Sequence, residues 1–174
     1  MVQNKSKAMT KPNIHIRAMR SDDYDKVQDL WQHIEGFYIR SVDDSREGIE
    51  RFLARNPNMS VVALTDEGDK NDEKIIGSVL CGHDGRYGSL YHVCVHEDFR
   101  KNGIGRAMVE FALNALKRES ISTISLIAFS TNKEGNAFWK GLGWDIRQNV
   151  NRYELSQNPA NISTKITPNK SNFK

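Results

Sequence analysis

Apolar positions along this 174-residue chain recur with two different periods, and the switches between them mark out the elements. Residues 14–18 alternate apolar and polar as a first strand. Ser21, standing before Asp22 and Asp23, reads as the N-cap of a helix that runs through Val27, Leu30, Trp31 and Ile34. A second helix is predicted over residues 45–55, with Ile49, Phe52 and Leu53 turned inward and Pro57 closing it. Residues 60–65 and 74–81 are near-continuous apolar runs, the mark of strands buried on both faces, and the charged residues 66–73 join them as a surface loop. Asp84-Gly85 carries a hairpin signal into a third such run, residues 89–95. The period then changes: Ile104, Met108, Phe111, Ala112 and Ala115 recur at helical spacing, with Arg106, Glu110, Asn114 and Lys117 opposite. A strand over residues 121–129, a helix from about Asn132 and a last strand over residues 144–155 complete the order β-α-α-β-β-β-α-β-α-β. That order predicts an α/β fold with a mixed sheet and helices on both faces, as one domain over residues 13–155. The polar residues 1–12 and 156–174 are expected to be a frayed start and a disordered tail.

Composition narrows the function classes without choosing one. The net charge is only +3, and basic residues are interspersed with acidic ones, so charge does not point to nucleic acid. No apolar run approaches the ~18 residues of a membrane span, and the N-terminus lacks an apolar signal region; a cytoplasmic location is expected. Both cysteines, Cys81 and Cys94, fall inside predicted strands, which fits buried free thiols better than a disulfide.

The chemistry concentrates where residues 89–95 run into the helix at Ile104. Arg100-Lys101-Asn102-Gly103-Ile104-Gly105-Arg106 sits at this strand-to-helix junction, where leading helix N–H groups are unpaired and carry partial positive charge. Residues without side chains let an anion approach them, and Arg100, Lys101 and Arg106 add formal charge, so the segment reads as a phosphate cradle. No Lys-Ser or Lys-Thr follows either glycine, which excludes a Walker loop, and Met108 stands where a dinucleotide fingerprint needs its third glycine. The remaining pattern, Arg100-x-x-Gly103-x-Gly105, resembles the pyrophosphate-binding signature of the GNAT superfamily of acetyl-CoA-dependent N-acetyltransferases. A second stretch, Asn132-Lys-Glu-Gly-Asn-Ala137-Phe-Trp139-Lys-Gly-Leu142-Gly143, is similar to that family's late helix and turn, in the right order along the chain. The segment 82–100 and the general spacing resemble bacterial members likened to ribosomal-protein alanine N-acetyltransferases, which leaves the substrate open.

The resemblance implies that the motif strand and the strand after its helix are central, parallel and splayed, with acetyl-CoA lying in the gap and no metal required. It implies that the backbone of Val93 and Val95 pairs with the pantetheine arm, that the amides of residues 101–106 hold the pyrophosphate, that Asn132 lies near the cofactor, and that the Val93 N–H stabilises the oxyanion. The acceptor would be an amine of a small molecule or of a peptide N-terminus, and a homodimer is compatible with the family. The chain departs from the family in two places. Trp139 stands where a tyrosine commonly serves as general acid, and an indole does not titrate usefully. Tyr91 is the first substitute and Tyr153 the second, with Trp139 as an apolar wall beside the thioester or as core. No carboxylate lies on the motif strand. Strict alternation puts Ser89, Tyr91 and Val93 on one face and His92 on the other, as a packed core histidine; Glu35 and His83 are the remaining candidates for the base, with a water relay as the alternative. Trp31, Glu35, Phe37, Tyr38, Asp43 and Asp44 would line the acceptor side, where acidic and aromatic groups suit a cationic amine. A non-catalytic acyl-CoA sensor and an acyltransferase for longer chains stay open beside the acetyltransferase reading.

Overall fold

The alternating run at the start forms β1 (Asn13–Ala18), which pairs antiparallel with β3 (Val61–Asp66) in the computed structural model; residues 13–66 and 73–168 are described. β3 pairs antiparallel with β4 (Glu73–His83), and β4 with β5 (Tyr87–Val95). β6 (Thr123–Leu126) adds on parallel to β5, giving a mixed five-stranded sheet in the order β1-β3-β4-β5-β6. The mixed α/β architecture is therefore the one expected.

β3 and the centre of β4 are buried on both faces, as their unbroken apolar runs require. On one face lie α1 (Tyr24–Gln32) and α2 (Arg46–Arg55), whose Leu30, Trp31 and Ile49 pack with Leu64, Ile75 and Leu80. On the other lies α3 (Ile104–Arg118), whose Met108, Val109, Ala112 and Leu116 pack with Val61, Ala63 and Val79. α4 (Lys133–Gly141) follows β6 and brings Phe138 and Trp139 to this second cluster. Cys81 and Cys94 are buried and unpaired with each other, as expected. No helix among the described residues is long and apolar enough to cross a membrane.

Four local expectations change. Ser21 does not cap α1; it opens a short 3-10 turn, Ser21–Asp23, and α1 begins at Tyr24. Asp23 closes that turn, its Oδ2 accepting the Arg20 N–H at 2.7 Å and its two oxygens taking the Arg17 guanidinium at 2.7 Å each; it stands at the N-cap position of α1 but makes no side-chain bond into that helix. The Asp23 carboxylate is committed to a bidentate, charge-assisted pair with β1 rather than to the leading N–H groups of α1. The expected strand over residues 144–155 has no ladder partner among the described residues, and Ile146, Val150, Tyr153 and Leu155 are exposed. Alternation alone does not hold a strand; it needs a neighbour and a face to pack on.

The expected disordered tail is instead built into the structure as far as Ile166. β7 (Ser163–Lys165) pairs antiparallel with β2 (Tyr38–Arg40), a short strand in what reads as a loop in the sequence. Ile166 is buried in the α1/α2 cluster and donates its N–H to the Phe37 carbonyl at 2.7 Å. Asn161 accepts the N–H groups of Val42 and Asp43 and donates to the Asp43 carboxylate at 2.6 Å. One apolar anchor and one well-placed amide decide this segment, and its average polarity conceals both. The expected frayed start, residues 1–12, and the end of the tail, residues 169–174, lie outside the described residues.

The Arg17–Asp23 pair makes a pH-dependent contribution to stability. Burial raises the Asp23 pKa, but the hydrogen bonds from Arg17 and from the Arg20 N–H outweigh it and hold the carboxyl below its ordinary value. A carboxylate depressed in the folded state stabilises above its unfolded pKa, about 3.9, and that contribution is lost as pH falls through the folded value. Asp23→Asn is expected to cost about 2 kcal/mol at pH 7, with the gap between parent and variant closing below about pH 4. Thermal melts across pH 3 to 7 measure this, and a gap that stays constant with pH would contradict it.

Candidate active site

β5 changes character at its midpoint. Its parallel pairing with β6 runs from Tyr87↔Thr123 to Leu90↔Leu126 and stops, while its pairing with β4 continues to Val95. The edge of residues 91–95 facing away from β4 thus has no strand beside it among the described residues. The two strands cease to pair there, as the resemblance implies for a splayed parallel pair. β6 is, however, the outermost strand among the described residues and not a central one, because the expected strand over residues 144–155 does not form.

The β4 side of β5 is also irregular. Leu80 pairs with Tyr91 and Ser78 with Cys94, so His92 and Val93 together stand opposite Val79 alone. His92 has φ +45°, in the left-handed region that side-chain-bearing residues seldom adopt. This is a β-bulge, and it breaks the alternation of faces. Tyr91 reaches the α1/α2 side, its ring 6.0 Å from Phe52. His92 faces the same side, with ring centroids 4.5 Å from Trp31 and 5.4 Å from Phe37. Val93 turns to the opposite cluster. The expectation that His92 faces away from Tyr91, with Val93 beside Tyr91, is therefore corrected: one extra residue in the strand inverts the facing of every residue beyond it.

On this face His92 Nε2 lies 2.8 Å from Asp44 Oδ1. Asp44 is buried; its Oδ2 accepts the Arg40 N–H at 2.7 Å, and its backbone carbonyl accepts the Tyr24 hydroxyl at 2.9 Å. Ser78 Oγ accepts the Trp31 indole N–H at 2.9 Å and contacts the His92 carbonyl at 3.2 Å, tying the bulge to α1. The other acidic groups foreseen for the acceptor side are partly engaged, since Asp43 bonds Asn161. Glu35 is exposed, and no hydrogen bond to its carboxylate is found among the described residues. Tyr38 stacks against Phe129 with centroids 4.9 Å apart.

Past Val95 the chain forms the loop that the sequence marks as a phosphate cradle. Lys101 has φ +62° and Gly103 φ +78°, so the left-handed conformation recurs across three residues and the backbone curls into a concave turn. The first bond of α3 runs from the Ala107 N–H to the Gly103 carbonyl at 3.0 Å, leaving the N–H groups of Ile104, Gly105 and Arg106 as the unpaired leading donors. A Cβ at Gly103 would meet nothing within 4 Å, so the space beside it is open. A Cβ at Gly105 would lie 3.3 Å from the Phe138 ring; this glycine admits α4 against α3. Asn102 bonds back to the carbonyls of Phe99 and Arg100 and shapes the loop from within.

Arg100 is more engaged than the sequence implies. Its Nε donates to the Val95 carbonyl at 2.9 Å and one terminal nitrogen donates to Glu134 at 3.1 Å, linking strand, loop and α4. Asn132 caps α4, its Oδ1 accepting the Gly135 N–H at 2.9 Å. Trp139 lies between Phe138 and Trp144, at 4.9 and 5.1 Å. Tyr91, Glu35, Val93, Val95, Arg100, Lys101, Gly103 to Arg106, Asn132 and Trp139 all line one cleft of about 1900 Å³. Of the residues singled out from the sequence as catalytic or cofactor-binding, Asn102 and the alternative candidates Tyr153 and His83 do not line it; Tyr153 lies exposed on the unpaired segment after α4, and His83 sits at the end of β4. His92, read from the sequence as core, does line it. The thiols carry no nucleophilic role: burial pushes Cys81 up to about 12 and Cys94 up to about 11.

With this geometry, comparison with known proteins becomes informative. The model of the acetyltransferase (GNAT) family matches residues 24–144. An acetyltransferase from Pectobacterium atrosepticum is 38% identical over 96 residues, which is 55% of this chain and 62% of that protein, so the match spans less than two thirds of the relative's length. Among solved structures, a predicted acetyltransferase with acetyl-CoA from Clostridium acetobutylicum superimposes with a TM-score of 0.59 at 18% identity, over 82% of this chain and 96% of that one. The ribosomal-protein-S18-alanine N-acetyltransferase from Escherichia coli gives 0.55 at 17% identity, over 75% and 77%. At these identities the structures speak for the fold.

Proposed function

Because this chain belongs to the acetyltransferase (GNAT) family, we propose that it transfers the acetyl group of acetyl-CoA directly to a primary amine, of a small molecule or of a peptide N-terminus. One observation carries the reading. The partnerless edge of β5 over residues 91–95 runs straight into the concave turn and leading N–H groups at residues 101–106. An extended pantetheine arm suits the first and a pyrophosphate the second. Lys101 and Arg106 supply charge there, while Arg100, already bonded to Val95 and Glu134, holds the loop against the strand. Trp139, among aromatic neighbours, serves as an apolar wall.

The amine nitrogen attacks the thioester carbonyl carbon, the C–N bond forms and the C–S bond breaks. Val93 stands in the bulge, outside regular pairing, and its N–H is the donor assigned to the developing oxyanion. Tyr91, half exposed on the cleft, gives its hydroxyl proton to the departing sulfur. Tyr91→Phe is expected to lower kcat by about 100-fold and to leave acetyl-CoA affinity unchanged; a rate within a few-fold of the parent removes Tyr91 from this role. The reading as a whole is tested by measuring CoA release from acetyl-CoA over polyamines, amino acids, aminoglycosides and N-terminal peptides. Tight acetyl-CoA binding without acceptor-dependent release would favour a sensor instead. Preferential release from propionyl- or succinyl-CoA would favour a longer acyl group.

A further inference from the structure

We propose that His92 is the general base that takes the proton from the acceptor amine, with Asp44 as its positioning residue; this rests on the acetyl-transfer reading above. The bulge turns His92 onto the same side as Tyr91 and places it next to Val93, the residue assigned to the oxyanion. Asp44, as a carboxylate, only accepts, so the hydrogen between the two groups belongs to His92 Nε2. The other ring nitrogen, Nδ1, then carries the lone pair, and no group bonds it among the described residues. The ring's orientation is held from three sides: Trp31, Phe37 and the Asp44 carboxylate, itself fixed by the Arg40 N–H. A histidine with one nitrogen anchored to a buried carboxylate and the other unbonded in a cleft has the arrangement of a base whose partner stabilises the imidazolium that forms. Glu35, the carboxylate expected from the sequence, has no comparable support.

The step balances in protons. The acceptor enters as an ammonium and gives one proton to Nδ1, producing an imidazolium paired with Asp44. The neutral amine attacks, the C–N bond forms and the C–S bond breaks. The sulfur takes the Tyr91 proton, Tyr91 recovers one from the acylated nitrogen, and His92 returns its proton to water. Among the described residues the titratable group bonded to the ring is Asp44, ahead of α2, with Tyr24 of α1 behind it through the Asp44 carbonyl; Tyr91 and Cys94 flank His92 along β5.

The test uses the full chain with the acceptor that gives the highest CoA release. His92→Gln keeps a donor toward Asp44 but cannot accept a proton. It is expected to lower kcat at pH 7 by at least about 100-fold, with unchanged acetyl-CoA Kd, and its residual rate should climb with pH as the free amine fraction grows, without the parent's plateau. Added imidazole should restore part of the rate. Asp44→Asn should lower kcat less and move the parent's pH profile. A His92→Gln rate within a few-fold of the parent, with the same pH profile, overturns the proposal and leaves the acetyl-transfer reading standing. Absence of amine-dependent release by the parent chain overturns that reading, and this inference with it. Nitrogen NMR of the unmodified protein decides independently of folding of the variants: an Nε2–H tautomer supports the assignment, and an Nδ1–H tautomer refutes it.

Discussion

Gly103→Asp is expected to weaken acetyl-CoA binding by on the order of 100-fold or more, about 3 kcal/mol. Two effects act together. Gly103 has φ +78°, a conformation that costs an ordinary L residue roughly 1–2 kcal/mol, although Asp tolerates it better than most. A new side chain would also start from the one open side of the loop, and a carboxylate there meets the pyrophosphate at short range. Two unit charges about 4 Å apart near a protein surface interact by about 4 kcal/mol before solvent relaxation. Nothing packs on Gly103, so the melting temperature should fall only by about 2–8 °C, the amount that the backbone strain accounts for. Calorimetric titration with acetyl-CoA measures the loss, and unchanged affinity in a folded variant would sink the cradle assignment. Gly105→Ala is a useful contrast, because its methyl would press on Phe138 and affect stability first.

Trp31→Ala should be the most destabilising single change, by about 4 kcal/mol, which corresponds to a fall in Tm of roughly 10 °C for a domain of this size. Trp31 is fully buried, donates its indole N–H to Ser78 Oγ and lies against the His92 ring. Truncation therefore leaves a cavity under α1 and frees the imidazole on one side. Trp31→Phe separates these effects: it retains an aromatic face for His92 and loses the hydrogen bond to Ser78, for a cost of about 1 kcal/mol. Melting curves of the two variants give the difference, and equal losses would mean that packing under α1 is unimportant.

Much of the molecule is legible in the sequence. The buried β3 and β4 show as unbroken apolar runs, α3 as a stripe at helical spacing, and α2, expected over residues 45–55, spans Arg46–Arg55. The phosphate loop is visible because glycine at a strand-to-helix junction is a local requirement, written in contiguous residues. The features that escape such reading are long-range. Residues 144–155 alternate correctly and find no partner, whereas the polar tail supplies a strand through Ile166 and Asn161, more than a hundred residues from the segment they close. Ser21 opens a 3-10 turn instead of capping α1, and Asp23 closes that turn while bound to an arginine on β1.

By itself, then, the sequence determined the four helices and the order of the five strands of the main sheet along the chain, and the position of the anion-binding turn, since periodicity and glycine placement act within a few residues. Only the tertiary structure decided which side chains meet above β5. Face alternation along a strand holds while its register is regular, and a single bulge opposite Val79 reverses it, bringing His92 to Trp31, Phe37 and an aspartate 48 positions away. A bulge is defined by the neighbouring strand, so the position of the candidate base could be read only once β4 and β5 were paired.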